Sequence, residues 1–329
     1  MSYIKSDNYI LAGDIGGTKT ALGLFARGKR RPLLRDFEVF NSRAFNNLEA
    51  ILQKFITHRE KSIKKACLGI AGPVIKGRCQ TTNLAWEVTE NRIRKRFRWD
   101  DVRLINDLEA MAIGIPLLNK QDVYSLTSIR IPKRRTIGLL APGTGLGKSL
   151  LVYQDGGYFA IPSEGGHVDF APNNELETQL WRYMYMIFGH VSVERVLSGL
   201  GLVNIYSFFR NNSSNKEPSW LAKLFKEQDA GKVIAEAAIN EKNPECVNAL
   251  NMFVSIMGSV AGNLALTGMT TSGIYLGGGI PPKILPKLKE DIFINAFINK
   301  GRFRTMLEKI PVFVILNDKI PLFGAASSV

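Results

Sequence analysis

Short apolar runs broken by polar, glycine-bearing turns recur along this chain, and their period shifts from two to about 3.6 as strands give way to helices. Residues 10–12 form the first run, which ends on Asp14; after Gly16 and Gly17 a second run covers 21–25, in the stretch YILAGDIGGTKTALGLF. Two such runs around a Gly-Gly pair predict a β-hairpin. A further strand is expected at 37–40. Residues 46–58 then place Leu48, Ile51, Leu52 and Phe55 on one helical face. The stretch 65–71 reads as a buried strand closed by Gly72 and Pro73, and 87–99 as an amphipathic helix with Ile93 and Phe97 inside. The strand at 102–105 delivers Asn106 and Asp107 at its C-terminal end, ahead of a helix over 108–113.

Residues 135–153, RTIGLLAPGTGLGKSLLVY, repeat the first design as strand, glycine turn, strand. This is not a P-loop: Pro142 stands where that motif needs glycine, and residues 150–153 are β-patterned where a P-loop would start a helix. A second glycine-turn hairpin suggests two related lobes serving one nucleotide. Residues 158–169 set Glu164 and His167 around two glycines, and His190 and Glu194 come next, four apart. Over 176–189 a helix is expected, with Leu180, Tyr183, Met184 and Ile187 as its core stripe. The polar loop 211–219 leads to helices at 231–239 and 244–266. A strand at 274–276 ends in Gly277, Gly278 and Gly279, a strand is expected at 312–316, and 321–329 reads as a tail of small residues.

The glycines of the first turn let an anion approach backbone N–H groups, while Asp14 is placed to hold Mg²⁺ through its water shell. The same pattern also fits an ordinary hairpin. Asn106 and Asp107 occupy the strand end where ligands gather in α/β folds, and equally a helix-cap position. At 329 residues and 45% apolar, two domains are expected. No apolar run looks long enough to span a bilayer, and the N-terminus lacks the layout of a signal peptide, which points to the cytoplasm. Three scattered cysteines argue against disulfides and against structural zinc. The net charge of +14 is concentrated in arginine and lysine runs on solvent-facing positions. No RNA-binding or zinc-finger pattern accompanies it, so a basic surface attracting anionic substrates is favoured over nucleic-acid binding.

The motifs GDIGGTK (13–19), TNLAW (82–86), IND (105–107), GTGLG (143–147), EGGHVDF (164–170), HVSVERVLSG (190–199) and LGGGI (276–280) occur in one order. Together they resemble the bacterial glucokinases of the hexokinase/actin-like ATPase superfamily. The resemblance implies an α/β protein of two ribonuclease-H-like lobes around a central cleft, binding ATP with Mg²⁺ and glucose, and assembled as a homodimer. It implies a discontinuous small lobe, 1–117 plus 312–329, and a large lobe, 118–311. Asp107 would be the catalytic carboxylate. Asn106, Asp107, Glu164, His167 and Glu194 would hold the sugar. Gly13, Asp14, Ile15, Gly16, Gly17 and Thr18, with Gly143, Thr144, Gly145 and Gly147, would cradle the phosphates, and Gly277, Gly278 and Gly279 would border the adenosine. Lys19 and the short tail after Gly324 depart from the family pattern. The rivals are a ROK-type kinase for another hexose or amino sugar, and a sugar- or nucleic-acid-binding regulator on a kinase fold. Intact Asp107 and the lack of an N-terminal helix-turn-helix disfavour the regulator.

Overall fold

The computed structural model describes residues 9–57, 59, 62–81, 84–130 and 135–329. Thr82 and Asn83 of the TNLAW motif, His58, and the N-terminal eight residues lie outside the described set. The chain divides into two units, Met1–Gln121 with Gly156–Ile161 and Asn317–Val329, and Asp122–Asp155 with Pro162–Leu316.

The first unit opens with β1 (Tyr9–Ile15), β2 (Lys19–Ala26) and β3 (Leu33–Asn41), followed by α1 (Leu48–Ile56), β4 (Ile63–Ile70), β5 (Arg78–Gln80), β6 (Glu87–Thr89), α2 (Glu90–Phe97), β7 (Asp101–Asn106) and α3 (Asp107–Gly114). Its main sheet has the order β3-β2-β1-β4-β7. The hairpin read from the apolar runs is β1–β2, antiparallel, with Ile15 opposite Thr20. β1, β4 and β7 are parallel, and Asp14 is level with Gly69, which is level with Ile105. Their C-terminal ends therefore share one edge. Leu11, Leu24, Leu52, Phe55, Leu68 and Ile93 fill the core. Thr89 caps α2 by accepting from the Arg92 N–H, and Arg98 ends it in left-handed backbone at φ 55°. The expected helix over 87–99 is thus shorter, because 87–89 pair with β5.

The second unit holds β8 (Val123–Ser125), β9 (Ile137–Pro142) and β10 (Leu146–Gln154). After β11 (Gly157–Ile161), which belongs to the first unit, come α4 (Glu175–Phe188), α5 (Gly199–Asn211), α6 (Ser219–Glu227), α7 (Ala230–Ile239), α8 (Pro244–Gly268), β12 (Ile274–Leu276), α9 (Leu285–Leu288), α10 (Asp291–Ile298), α11 (Arg304–Leu307) and β13 (Val312–Ile315). Within this unit the strands run β10-β9-β12-β13-β8. β9, β12 and β13 are parallel to one another.

Several expectations change. The boundary expected at 312 falls at 317, because β13 pairs with β12 in the second unit. α8 is, by length and composition, apolar enough to cross a bilayer, contrary to the reading of the sequence; 78% of its most apolar window is buried inside the fold, as suits a core helix. Along α4, Leu180 and Met184 are buried, whereas Ile187 is 54% exposed and leaves the core stripe. The three cysteines are free and buried.

The small-residue tail is a helix, α12 (Ile320–Ser327), in the first unit. It is buried nearly all round, which removes the polar face that marks a surface helix. A Cβ on Gly324 would lie 1.8 Å from the Ala110 carbonyl oxygen, and one on Gly114 would lie 2.5 Å from the Ile320 carbonyl oxygen. Only glycines allow α3 and α12 to approach so closely. The tail thereby sets the position of the helix that begins with Asp107.

Candidate active site

In the first unit, two carboxylates stand at the shared strand edge. Asp14 is the penultimate residue of β1, and Asp107 opens α3 directly after β7. Burial, reinforced by the negative charge of Asp107, raises the Asp14 carboxyl from 3.8 to about 6. A pair whose charges oppose one another is a site that gains from a cation. Among the described residues no cluster of three metal-ligating side chains exists. The two carboxylates are a donor set that suits Mg²⁺, a cation that keeps several waters and binds through one or two carboxylates plus phosphate.

Asn106 has a structural duty here. Its Oδ1 accepts from the Leu108 and Glu109 N–H groups at 3.0 and 3.4 Å, and its Nδ2 donates to the Gly72 carbonyl at 3.1 Å. That leaves one amide N–H for a ligand. Gly69 keeps the start of α3 close to the sheet: a Cβ there would lie 3.0 Å from the Ala110 methyl and 3.6 Å from the Asp107 Cα.

The hairpin residues divide. Gly13 is buried in mid-strand, where a Cβ would meet Leu68 and Ile15 side chains at 2.7 and 2.9 Å, and Ile15 is only 1% exposed. These two pack. The turn itself is Gly16, Gly17 and Thr18, closed by the Gly16 N–H donating to the Lys19 carbonyl at 2.9 Å.

In the second unit the GTGLG turn joins β9 to β10. The Gly143 N–H donates to the Gly145 carbonyl and the Gly143 carbonyl accepts from the Gly199 N–H, both at 2.8 Å. Thr144 is exposed at the tip, and Gly147 pairs with Ala141 inside the ladder. The loop after β12 meets this turn: the Gly277 N–H donates to Leu140, and Gly278, at φ 78°, sits so close that a Cβ would lie 2.5 Å from the Pro142 carbonyl oxygen. Nothing crowds Gly279 within 4 Å. Both glycine segments thus lie at the C-terminal ends of parallel strands, where exposed backbone can receive a nucleotide.

Glu164 and His167 are exposed on the loop 164–168, and the His167 N–H donates to the Glu164 carbonyl at 3.0 Å. Gly166 docks this loop, since its carbonyl accepts from the Glu194 N–H at 2.9 Å and a Cβ there would strike the Leu146 carbonyl at 2.2 Å. Glu194 returns the contact: its Oε2 accepts from the Leu146 N–H at 2.8 Å. One carboxylate oxygen therefore holds the glycine turn and the other is available to a ligand. Two features went unread in the sequence. His190 bonds Asp169 at 2.8 Å, a pair split by 21 residues. Lys148, whose side chain lies 3.3 Å from a Cβ placed on Gly165, has its ammonium pushed below the usual lysine range by burial.

Paired carboxylates at one strand edge of the first unit, and glycine turns at strand ends, are the parts that an ATP-dependent hexose kinase on an α/β fold uses. A glucokinase family model matches residues 11–329. The glucokinase of Nostoc punctiforme is 40% identical over 96% of this chain and 97% of its own length. The crystal structure of a glucokinase from an Antarctic psychrotroph is 29% identical, with a TM-score of 0.84 over 97% of this chain and 98% of that one. A Balamuthia mandrillaris glucokinase solved with glucose shares the fold at 23% identity, with a TM-score of 0.81 over 98% and 94%. This chain belongs to the glucokinase family.

Proposed function

We propose that the chain transfers the γ-phosphoryl group of ATP to the 6-hydroxyl of glucose, giving glucose 6-phosphate and ADP as the opening step of glycolysis. The observation that carries the proposal is Asp107, held at a strand end by the Asn106 cap, by Gly69 and by α12, beside the raised carboxyl of Asp14. In this reading Asp107 orients the attacking hydroxyl and takes its proton. Glu164, His167, the second oxygen of Glu194 and the remaining N–H of Asn106 bind the other hydroxyls. A sugar lacking one of those hydroxyls would leave a polar group unpaired, which is the source of selectivity. The turn at 16–18 and the turn at 143–145 present backbone N–H groups to the phosphates, and Gly277 to Gly279 border the adenosine. Asp14 holds the water shell of Mg²⁺, which when bound neutralises phosphate charge. The same reading includes a homodimer acting in the cytoplasm, without a nucleic-acid partner for the basic surface.

A coupled assay across glucose, mannose, N-acetylmannosamine and fructose tests the substrate. Glucose is expected to show a kcat/KM at least about tenfold above fructose, in line with the loss of one well-placed hydrogen bond. An equal or higher value for fructose or N-acetylmannosamine would transfer the chain to another sugar-kinase activity.

A further inference from the structure

The turn at Gly16–Thr18 has a backing that lies outside every motif. Ser42, at the end of β3, is fully buried, as is Thr20 of β2. The Ser42 hydroxyl donates to the Gly16 carbonyl at 2.8 Å and lies 2.9 Å from the Thr20 hydroxyl. Ser42 has one hydroxyl proton, and the Gly16 carbonyl receives it. Thr20 must therefore donate to Ser42, which fixes a directed chain from Thr20 through Ser42 to Gly16. The Ser42 backbone N–H donates to the Thr18 carbonyl at 2.9 Å. One residue thus grips the turn at both ends.

Peptide geometry gives this grip a consequence at the other face of the turn. No cis peptide occurs among the described residues. The Gly16 carbonyl and the Gly17 N–H belong to one trans unit and point in opposite directions. Holding the carbonyl toward Ser42 turns the Gly17 N–H away from Ser42, to the opposite face of the turn. Glycine is the residue type least able to hold such an orientation by itself. We propose that Ser42 is a positioning residue for ATP: through the Thr20–Ser42–Gly16 hydroxyl chain it fixes the peptide whose Gly17 N–H receives a phosphate oxygen. The proposal rests on the reading that this turn receives the nucleotide.

The test uses the full-length protein, with AMPPNP binding by calorimetry and KM values for ATP and glucose. Ser42→Ala should weaken AMPPNP about tenfold, as expected for a buried carbonyl and a hydroxyl that both lose their partner. Its glucose KM should stay within about twofold, since the described hydrogen bonds of the Thr20 and Ser42 hydroxyls run to each other and to Gly16, and to none of the residues proposed to bind the sugar. Thr20→Val should give a smaller loss and Thr20→Ser none. The double variant Ser42→Ala/Thr20→Val should be no worse than Ser42→Ala, because links in series are not additive. Gly17→Val separates the role of the turn from the role of Ser42 behind it. If it binds AMPPNP normally, the turn is not a nucleotide site. If it loses AMPPNP while folded Ser42→Ala binds like wild type, the turn reading stands and the Ser42 proposal is overturned. Equal weakening of AMPPNP and glucose in Ser42→Ala would also overturn it, as general loosening. Should Ser42→Ala not fold, the contrast between Thr20→Val and Thr20→Ser decides, and identical nucleotide binding in the two refutes the chain.

Discussion

Asp14→Asn should make the ligand-free protein more stable while impairing the enzyme, and the gain should depend on pH. The carboxyl titrates near 3.8 when exposed and near about 6 in the folded chain, through burial first and the charge of Asp107 second. A raised acid binds its proton more tightly when folded, so ionising it opposes folding. The penalty is absent below the unfolded value, grows between pH 3.8 and about 6, and is constant above that. At 1.36 kcal/mol per unit, the difference of about two units amounts to roughly 3 kcal/mol at pH 8 and about half of that at pH 5. Asparagine keeps the shape and carries no charge at any of these pH values. Urea unfolding without nucleotide should show Asp14→Asn ahead of wild type by up to about 3 kcal/mol at pH 8, with the margin shrinking toward pH 5. On the proposed reading, in which Asp14 holds the water shell of Mg²⁺, the same variant should raise the KM for ATP. In the wild type, nucleotide affinity should fall as pH drops through about 6 and Asp14 takes up its proton. A stability difference that is negative, or that does not vary with pH, would refute the reasoning.

Two further outcomes come from the packing. Gly324→Ala puts a methyl where the Ala110 carbonyl stands, so α3 must shift; the expected loss is about 1–3 kcal/mol in unfolding free energy, with kcat reduced and substrate KM values little changed, read by urea unfolding and steady-state kinetics. Glu194→Gln keeps an oxygen for the Leu146 N–H but loses the charge that the proposed function assigns to the sugar, so glucose KM should rise about tenfold with ATP KM unchanged, whereas Glu194→Ala should raise both because the 143–147 turn loses its anchor.

Much of this was legible from the residues alone. The β1–β2 and β9–β10 hairpins, α1, α7, α8 and the strand ending in Asn106 and Asp107 arise from local period and glycine placement. The motifs add the family. What escaped is non-local or fully buried. α12 shows no amphipathic face because it is enclosed on every side, and its two glycine contacts with α3 pair residues about 210 positions apart in the chain. The bond from Glu194 to the Leu146 N–H spans 48 residues, and the bond between Thr20 and Ser42 spans 22. No periodicity carries such pairs. Asn106 illustrates a different limit: cap and ligand roles use the same side chain, and only the hydrogen bonds show how much of it remains for a sugar.

The central claim is that Asp107 takes the proton of the reacting hydroxyl, and Asp107→Asn tests it most directly. The asparagine keeps the size of the side chain and leaves the Asn106 cap intact. Positioned base assistance contributes about 10²–10⁴-fold, so kcat for glucose should fall by that factor, with AMPPNP still bound and the unfolding transition preserved. A folded Asp107→Asn enzyme that retained more than about a tenth of wild-type kcat would contradict the account and leave Asp107 as a helix-start residue or sugar ligand alone.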